Sequence, residues 1–342
     1  MSEITIKEIA KRCGVGVSTV SRAINDHSDI NPATKKRIMD VIRETGYIPN
    51  NSARNLKRID AKCIGVLIKG ITNPFFTPMI EFIEQETEKK GYALVLRHVE
   101  AYESEVDVAL ELEKEKRLRG IIFLGGSAKH SAEKMKQLNV PVIFATIGSD
   151  ISDTLSKNAY STVSVDDELE SRKMIEYLIG LGHRKIAILT EANEEPSVVK
   201  LRLDGYLDAL KRHDIEVDNR LIKYVDKRIY TMKNGYETTK SLIESGVEFT
   251  ALYCISDVLA IGALRAFADA GIRVPEDVSV AGFDGQELSE YTVPRLTTIK
   301  QPLLDISEET MRLLFDLIEE KRGHKHLIFP GELIVAESTR KI

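Results

Sequence analysis

The chain has no tryptophan, only three cysteines and no apolar run of the ~18 residues that a membrane span needs. Cys13, Cys63 and Cys254 are isolated and odd in number. That excludes a disulfide framework and a CxxC metal site, and fits a reducing compartment. The opening segment MSEITIKEIAKRC lacks the apolar stretch of a signal peptide, so a cytoplasmic location is expected. Also missing are a G-x-S-x-G elbow, a P-loop, His-rich metal spacing and a phosphate-cradling glycine loop. No enzyme activity, cofactor or metal is therefore expected. What is present is ordinary globular composition, 43% hydrophobic and 30% charged over 342 residues. That excludes wholesale disorder and asks for two or three domains of roughly 100–200 residues.

Charge is unevenly placed. The net charge of −5 combines a head, residues 1–60, with eleven basic and seven acidic side chains, and a body that carries −9. A small basic head on an acidic body points to a polyanion partner for the head alone.

Thr5, Ile6, Lys7 and Glu8 form a capping-box pattern, and Ile6, Ile9 and Ala10 give the first helix an apolar face that ends at Gly14. A second helix is expected over 17–25. A third should run from an Asn31 cap and Pro32 at its first turn to Gly46, with Ile38, Val41 and Ile42 inward. Ala10 followed four residues later by Gly14 is helix-turn-helix spacing: a small residue at the crossing, then a turn residue that tolerates positive φ. Val15 and Val20 fill the interior, which leaves Val17, Ser18, Ser21 and Arg22 outward. Small side chains and one Arg suit a helix that enters the major groove and pairs bidentately with guanine.

The run KEIAKRCGVGVSTVSRAIND resembles the DNA-binding head of the lactose/galactose-repressor (LacI/GalR) family, and the likeness continues through TKKRIMDVIRETGYIPNNSARNL. The resemblance implies DNA contacts by Thr5, Val17, Ser18, Ser21, Arg22 and Asn25. It also implies a hinge helix, N-x-x-A-x-x-L, whose positions here are Asn50, Ala53 and Leu56, flanked by Arg54 and Lys57. There the leucine wedges into a base step from the minor groove, an apolar side chain offsetting the cost of unstacking. Gly16 departs from the family's usual serine N-cap, at a loss of only tenths of a kcal/mol. Cys13, often alanine in the family, reads as a small buried hydrophobe.

Beyond residue 61, apolar runs at 63–68, 93–96, 120–124, 142–145, 161–165, 185–189, 222–224, 251–254 and 279–281 alternate with amphipathic stretches. Among the latter are 77–90, 168–181, 202–213, 230–245, 258–270 and 305–321. Strand–helix alternation predicts parallel sheets covered on both faces, and so many strands predict two α/β lobes. Ligands of such folds bind beyond the carboxyl ends of strands. Asn73 precedes a proline and reads as a cap. Phe75 and Phe76 are either core anchors or a ring surface for a ligand. Arg202 at a helix start and Asp284 after a strand can clamp a polar molecule.

IGVLIKGITNPFF, LRGIIFLGG, GLGHRKIAIL, RLDGYLDAL, SDVLAIGALRAFADAGIRVPEDVSVAGFDG and PRLTTIKQP follow the same family's order, and IVAESTR is similar to its terminal strand. The resemblance implies an all-α helix-turn-helix head over 1–48, a hinge over 49–60 and a periplasmic-binding-protein-like (type I) effector and dimerisation domain over 61–342. Its two doubly wound lobes would span about 61–163 with 298–325, and about 164–297 with 326–342, joined by crossovers near 163, 298 and 325. It implies an effector held by Phe75, Phe76, Thr146, Asp166, Arg202, Ser256, Asp284 and Gln301. Thr146 and Ser256 stand where many members have Asp and Asn, which leaves room for something bulkier than a free hexose. His183, in the LGH turn, reads as a C-cap residue.

The expected function is a homodimeric, sequence-specific transcription regulator, a repressor, acting on pseudo-palindromic double-stranded operator DNA. A small polar effector such as a sugar, glycoside or nucleoside would control it, with no membrane partner. One alternative is a catabolite-control regulator with a phosphoprotein corepressor, suggested by Asp305 and Arg312 but opposed by Asp316 and Arg202. Another is a sugar-binding transport protein, opposed by the absent export signal and the helix-turn-helix.

Overall fold

Two units compose the chain, residues 1–61 and 62–342. The computed structural model describes residues 4–24, 30–45, 47, 62–70, 73–100, 102–127, 129–148, 155–191, 197–225 and 231–342. Asn25 and the hinge positions Asn50, Ala53, Arg54, Leu56 and Lys57 lie outside them, as does Gly46.

The first unit holds α1 (Ile6–Cys13), α2 (Val17–Ile24) and α3 (Pro32–Thr45). Ile9, Ala10, Cys13, Val20, Ala23 and Ile38 form its core, with Val15, Val41 and Ile42 packed against them. Gly14 ends α1 at φ 61°, and its N–H closes on the Ala10 and Lys11 carbonyls, so the left-handed turn falls where expected. Asn31 caps α3, its side-chain oxygen accepting from the Ala33 amide at 2.9 Å. The capping box on Thr5 is not formed. The Thr5 hydroxyl makes no capping bond; its main-chain carbonyl instead accepts from the Glu8 and Ile9 amides at 2.9 and 3.1 Å.

The second unit contains two six-stranded sheets. The first has the order β11-β5-β4-β3-β1-β2, from β1 (Cys63–Lys69), β2 (Ala93–Val99), β3 (Leu118–Leu124), β4 (Val142–Ala145), β5 (Ser161–Val165) and β11 (His326–Phe329). Every pairing in it is parallel. The second has the order β12-β10-β9-β8-β6-β7, from β6 (Ile186–Glu191), β7 (Ile222–Val225), β8 (Ala251–Cys254), β9 (Ser279–Asp284), β10 (Thr297–Lys300) and β12 (Glu332–Ile334). Only β12 runs antiparallel, against β10. The helices are α4 (Thr77–Lys89), α5 (Glu105–Lys116), α6 (Ala132–Met135), α7 (Asp167–Gly180), α8 (Val198–Arg212), α9 (Met232–Glu244), α10 (Asp257–Asp269) and α11 (Leu303–Ile318). No helix among the described residues is long and apolar enough to cross a membrane.

Burial on both faces explains why β4 and β8 read as unbroken apolar runs and β1 nearly so, while β5, equally buried, carries Ser and Thr at three of its five positions. The chain passes between sheets after β5, between β10 and α11, and between β11 and β12. Each passage lies a few residues beyond the expected 163, 298 and 325. β10 therefore belongs to the second sheet and β11 to the first, the reverse of their assignment from sequence. Two buried residues tie down the second and third passages. The Gln301 main-chain amide donates to the Asp284 carbonyl at 3.2 Å, and the Glu170 side chain accepts from the Gly331 amide at 3.0 Å. IVAESTR is not a strand beyond Ile334. Ser338 turns inward there, donating its hydroxyl to the Val280 carbonyl at 2.6 Å and accepting from the Thr297 amide at 2.8 Å.

Candidate DNA-reading helix and ligand cleft

In the first unit, α2 buries Val20 and Ala23 and exposes Val17, Ser18 and Arg22, while Ser21 is half-buried. Thr5 is exposed beside α1. The outward face is thus the expected one, short-chained except for Arg22. Gly16 stands at the N-cap of α2, its carbonyl accepting from the Thr19 and Val20 amides.

In the second unit, the carboxyl ends of β5, β8, β9 and β10 meet around one guanidinium. α8 carries Arg202. Its Nε donates to Asp167 Oδ1 at 2.8 Å, and one terminal nitrogen donates to the Ile255 carbonyl at 2.6 Å and to Asp284 Oδ1 at 3.2 Å. The guanidinium lies over the Phe283 ring, 3.7 Å from its centroid. Gln301 donates its side-chain amide to Asp284 Oδ1 at 3.1 Å. Burial alone would favour a neutral Arg202, but the charges of Asp167 and Asp284 reverse that and hold it charged. The same burial pushes Asp284 up to about 6 against the pull of Arg202, and raises Asp167 likewise.

Asp257 forms a second layer. It is fully buried and accepts from the Gln286 amide at 2.8 Å and from the Ser289 and Thr298 hydroxyls at 2.8 and 2.6 Å. Burial, aided by the charge of Asp284, pushes its carboxyl up to about 7. Asp284 and Thr146 hold φ of 118° and 67°, left-handed conformations costly for residues with a Cβ. Both stand at strand ends, and both are tied down: Thr146 Oγ1 accepts from the Gly125 amide at 3.3 Å.

The structure therefore gathers Arg202, Asp284 and Gln301, with Ser256 beside Ile255, as the sequence led one to expect. Asp166 caps α7, its side chain accepting from the Leu169 amide at 3.0 Å, and the neighbouring Asp167 takes the guanidinium. Phe75 and Phe76 pack edge-on at 5.2 Å within the buried core. A Cβ at Gly125 would come within 2.8 Å of Phe76. Both rings thus serve as core anchors, one of the two roles left open for this pair. His183 is structural, its ring bridging the Thr250 hydroxyl at 2.9 Å and the Arg340 carbonyl at 3.2 Å.

Sequence reading did not single out Asp167, Asp257 or Gln286 as cleft residues. Asp167 was signalled only by two consecutive Asp after an apolar strand, and Asp257 by the Ser-Asp pair that replaces the family's Asn-Asp. Gln286, in the loop after β9, carried no signal.

A helix-turn-helix unit followed by a two-lobed domain with a buried charged cluster at its strand ends defines a DNA-binding regulator with a ligand-sensing domain. The chain belongs to the LacI family of bacterial regulatory proteins. Residues 5–50 match the model described as bacterial regulatory proteins, lacI family, and residues 175–339 match the periplasmic binding protein-like domain. The HTH-type transcriptional regulator MalR of Clostridium butyricum is 38% identical over 98% of this chain and 99% of its own. A lac repressor dimer bound to operator and the anti-inducer ONPF superimposes with TM-score 0.73 at 26% identity, covering 99% of this chain and 100% of that one. The regulator CelR in complex with cellobiose gives TM-score 0.70 at 26% identity, over 98% and 99% of the two chains.

Proposed function

We propose that the protein is a cytoplasmic, homodimeric, non-enzymatic transcriptional repressor that reads pseudo-palindromic operator DNA and is controlled by a small polar effector bound between its lobes. The observation that carries this reading is the pairing, in one chain, of an exposed Arg22 face on a helix-turn-helix with a buried Arg202–Asp284 clamp at the strand ends. One head presents one recognition helix, so two copies on a two-fold site are required to read a palindrome. The operator-bound lac repressor dimer supports that arrangement. In the clamp, an Arg offers donors and an Asp acceptors, which together satisfy the hydroxyls of a sugar, glycoside or nucleoside that would otherwise be buried unpaired. The cellobiose complex of CelR supports a ligand larger than a free hexose.

A phosphoprotein corepressor is a weaker reading. Arg312 is occupied by Glu309 and by Asp316 at 3.3 Å, and Asp316 also meets Arg322, so the face of α11 offers no uncommitted cation at Arg312. A transport role has no use for the DNA-reading head.

The test is selection of operator sequences from random duplexes with the full chain, followed by titration of candidate effectors into the selected complex. Recovery of a two-fold symmetric site whose occupancy an effector changes is the expected result. Binding without sequence preference would overturn the reading.

A further inference from the structure

We propose that the cleft is built for an uncharged, hydroxyl-bearing effector, that it rejects anionic ones, and that Asp167 sets this specificity. This rests on the reading of the cleft as the effector site. The first observation is a charge imbalance. Arg202 is flanked by Asp167 at 2.8 Å and Asp284 at 3.2 Å, both residues at most 2% exposed. Two carboxylates already neutralise the guanidinium, so it has no net attraction left for a phosphate, sulfate or uronate. Lys69, at the end of β1, is matched by the buried Glu105 at 3.3 Å. An anionic ligand would thus meet a surplus of negative charge where solvent screens poorly.

The second observation is independent of charge counting. Asp167 Oδ2 and Ser256 Oγ are buried without any hydrogen-bond partner, on residues 2% and 3% exposed. Such groups are costly unless a partner arrives. A carboxylate oxygen only accepts, so its missing partner is a donor. A ligand hydroxyl supplies a donor to Asp167 and, by rotation, either role to Ser256. A phosphate or carboxylate group supplies neither to Asp167.

The experiment is a thermal-shift and calorimetric screen of the full chain against matched pairs: glucose, maltose, cellobiose and uridine beside glucose 6-phosphate, maltose 6-phosphate, cellobionate and uridine monophosphate. Stabilisation confined to the neutral members is expected. Stabilisation by any anionic member, or by no member of either set, overturns the proposal. The second result leaves the regulator reading to stand or fall on operator selection alone.

Asp167→Asn sharpens the test, because the amide oxygen can still accept from Arg202 while the free position changes from acceptor to donor. Calorimetry should show at least tenfold weaker binding of the neutral ligand, and the anionic partner of the pair should gain. Ser256→Ala, which alters no charge, should weaken neutral binding about three- to tenfold. Wild-type affinity in both variants would overturn the assignment.

Discussion

Gln286, in the loop after β9, donates its side-chain amide to Asn73 of the other lobe at 3.0 Å. The Asn73 oxygen also accepts from its own Phe75 amide, and the Gln286 main chain is anchored on Asp257. The contact therefore links the turn after β1 directly to the buried carboxylates of the second lobe. A hydrogen bond of this kind contributes about 0.5–1.5 kcal/mol. Gln286→Leu should shift the balance between closed and open lobes by about two- to tenfold. Small-angle scattering of the effector-free protein should show a larger mean radius of gyration; an unchanged value would refute the clasp.

Arg202→Ala should do more than weaken effector binding. It leaves Asp167 and Asp284 buried without their cation, a defect that typically costs about 3–5 kcal/mol. Urea unfolding should show that loss, and adding Asp167→Asn with Asp284→Asn should recover part of it. Wild-type stability of the single variant would mean that the pair is not held as an ion triad.

Stability should carry a pH signature from Asp257. Its carboxyl titrates at about 7 in the folded chain, against about 3.9 unfolded. Between these values the native state binds the extra proton, so this group's contribution falls as pH rises from 4 to 7. His130, His183 and His324, lowered by burial, act with the opposite sign below their ordinary value of about 6.5. The measurement is therefore a difference: melting temperature of wild type minus Asp257→Asn should fall between pH 5 and pH 8. A flat difference would show that Asp257 is not perturbed.

Gly16→Ser should firm the start of α2 by a few tenths of a kcal/mol, since serine caps better than glycine there and the nearest side-chain atom to a new Cβ lies 3.5 Å away. Hydrogen exchange of the α2 amides should slow in the full chain. Unaltered or faster exchange would show that the added hydroxyl does not cap.

Arg22→Ala should cost about 1–3 kcal/mol of operator affinity and relax preference at one base pair per half-site. Leu56→Ala should weaken binding and reduce operator bending, with effector affinity retained. Anisotropy titrations on the selected operator and on single-base variants would show both effects; wild-type affinity in both would refute the assignment.

Much of the fold was legible because its strands are buried on both faces and so read as plain apolar runs. β4, β5 and β8 fall on the expected residues. β10, β11 and β12 escaped because they do not form apolar runs: β10 is Thr-Thr-Ile-Lys, and β11 and β12 lie half-exposed at sheet edges. At the cleft, Arg202 and Asp284 could be placed by motif. The choice between Asp166 and Asp167 could not, since it depends on which carboxylate caps α7 and which turns inward. Thr5 failed as a capping box for a similar local reason: its carbonyl satisfied the amides that its hydroxyl was expected to bond.

The pairing of β11 with β5 joins His326 to Thr162, residues far apart along the chain. During synthesis, the first lobe cannot close until the ribosome has released almost the whole polypeptide, because α11 and β11 arrive after all of the second lobe except β12 and the terminal segment. The three-helix head, by contrast, is assembled from local contacts and is complete within the first sixth of the chain. The DNA-reading unit thus forms before the domain that would control it. Any truncation that removes residues 303–342 would leave a folded head on a sensing domain whose first lobe lacks an edge strand and a covering helix.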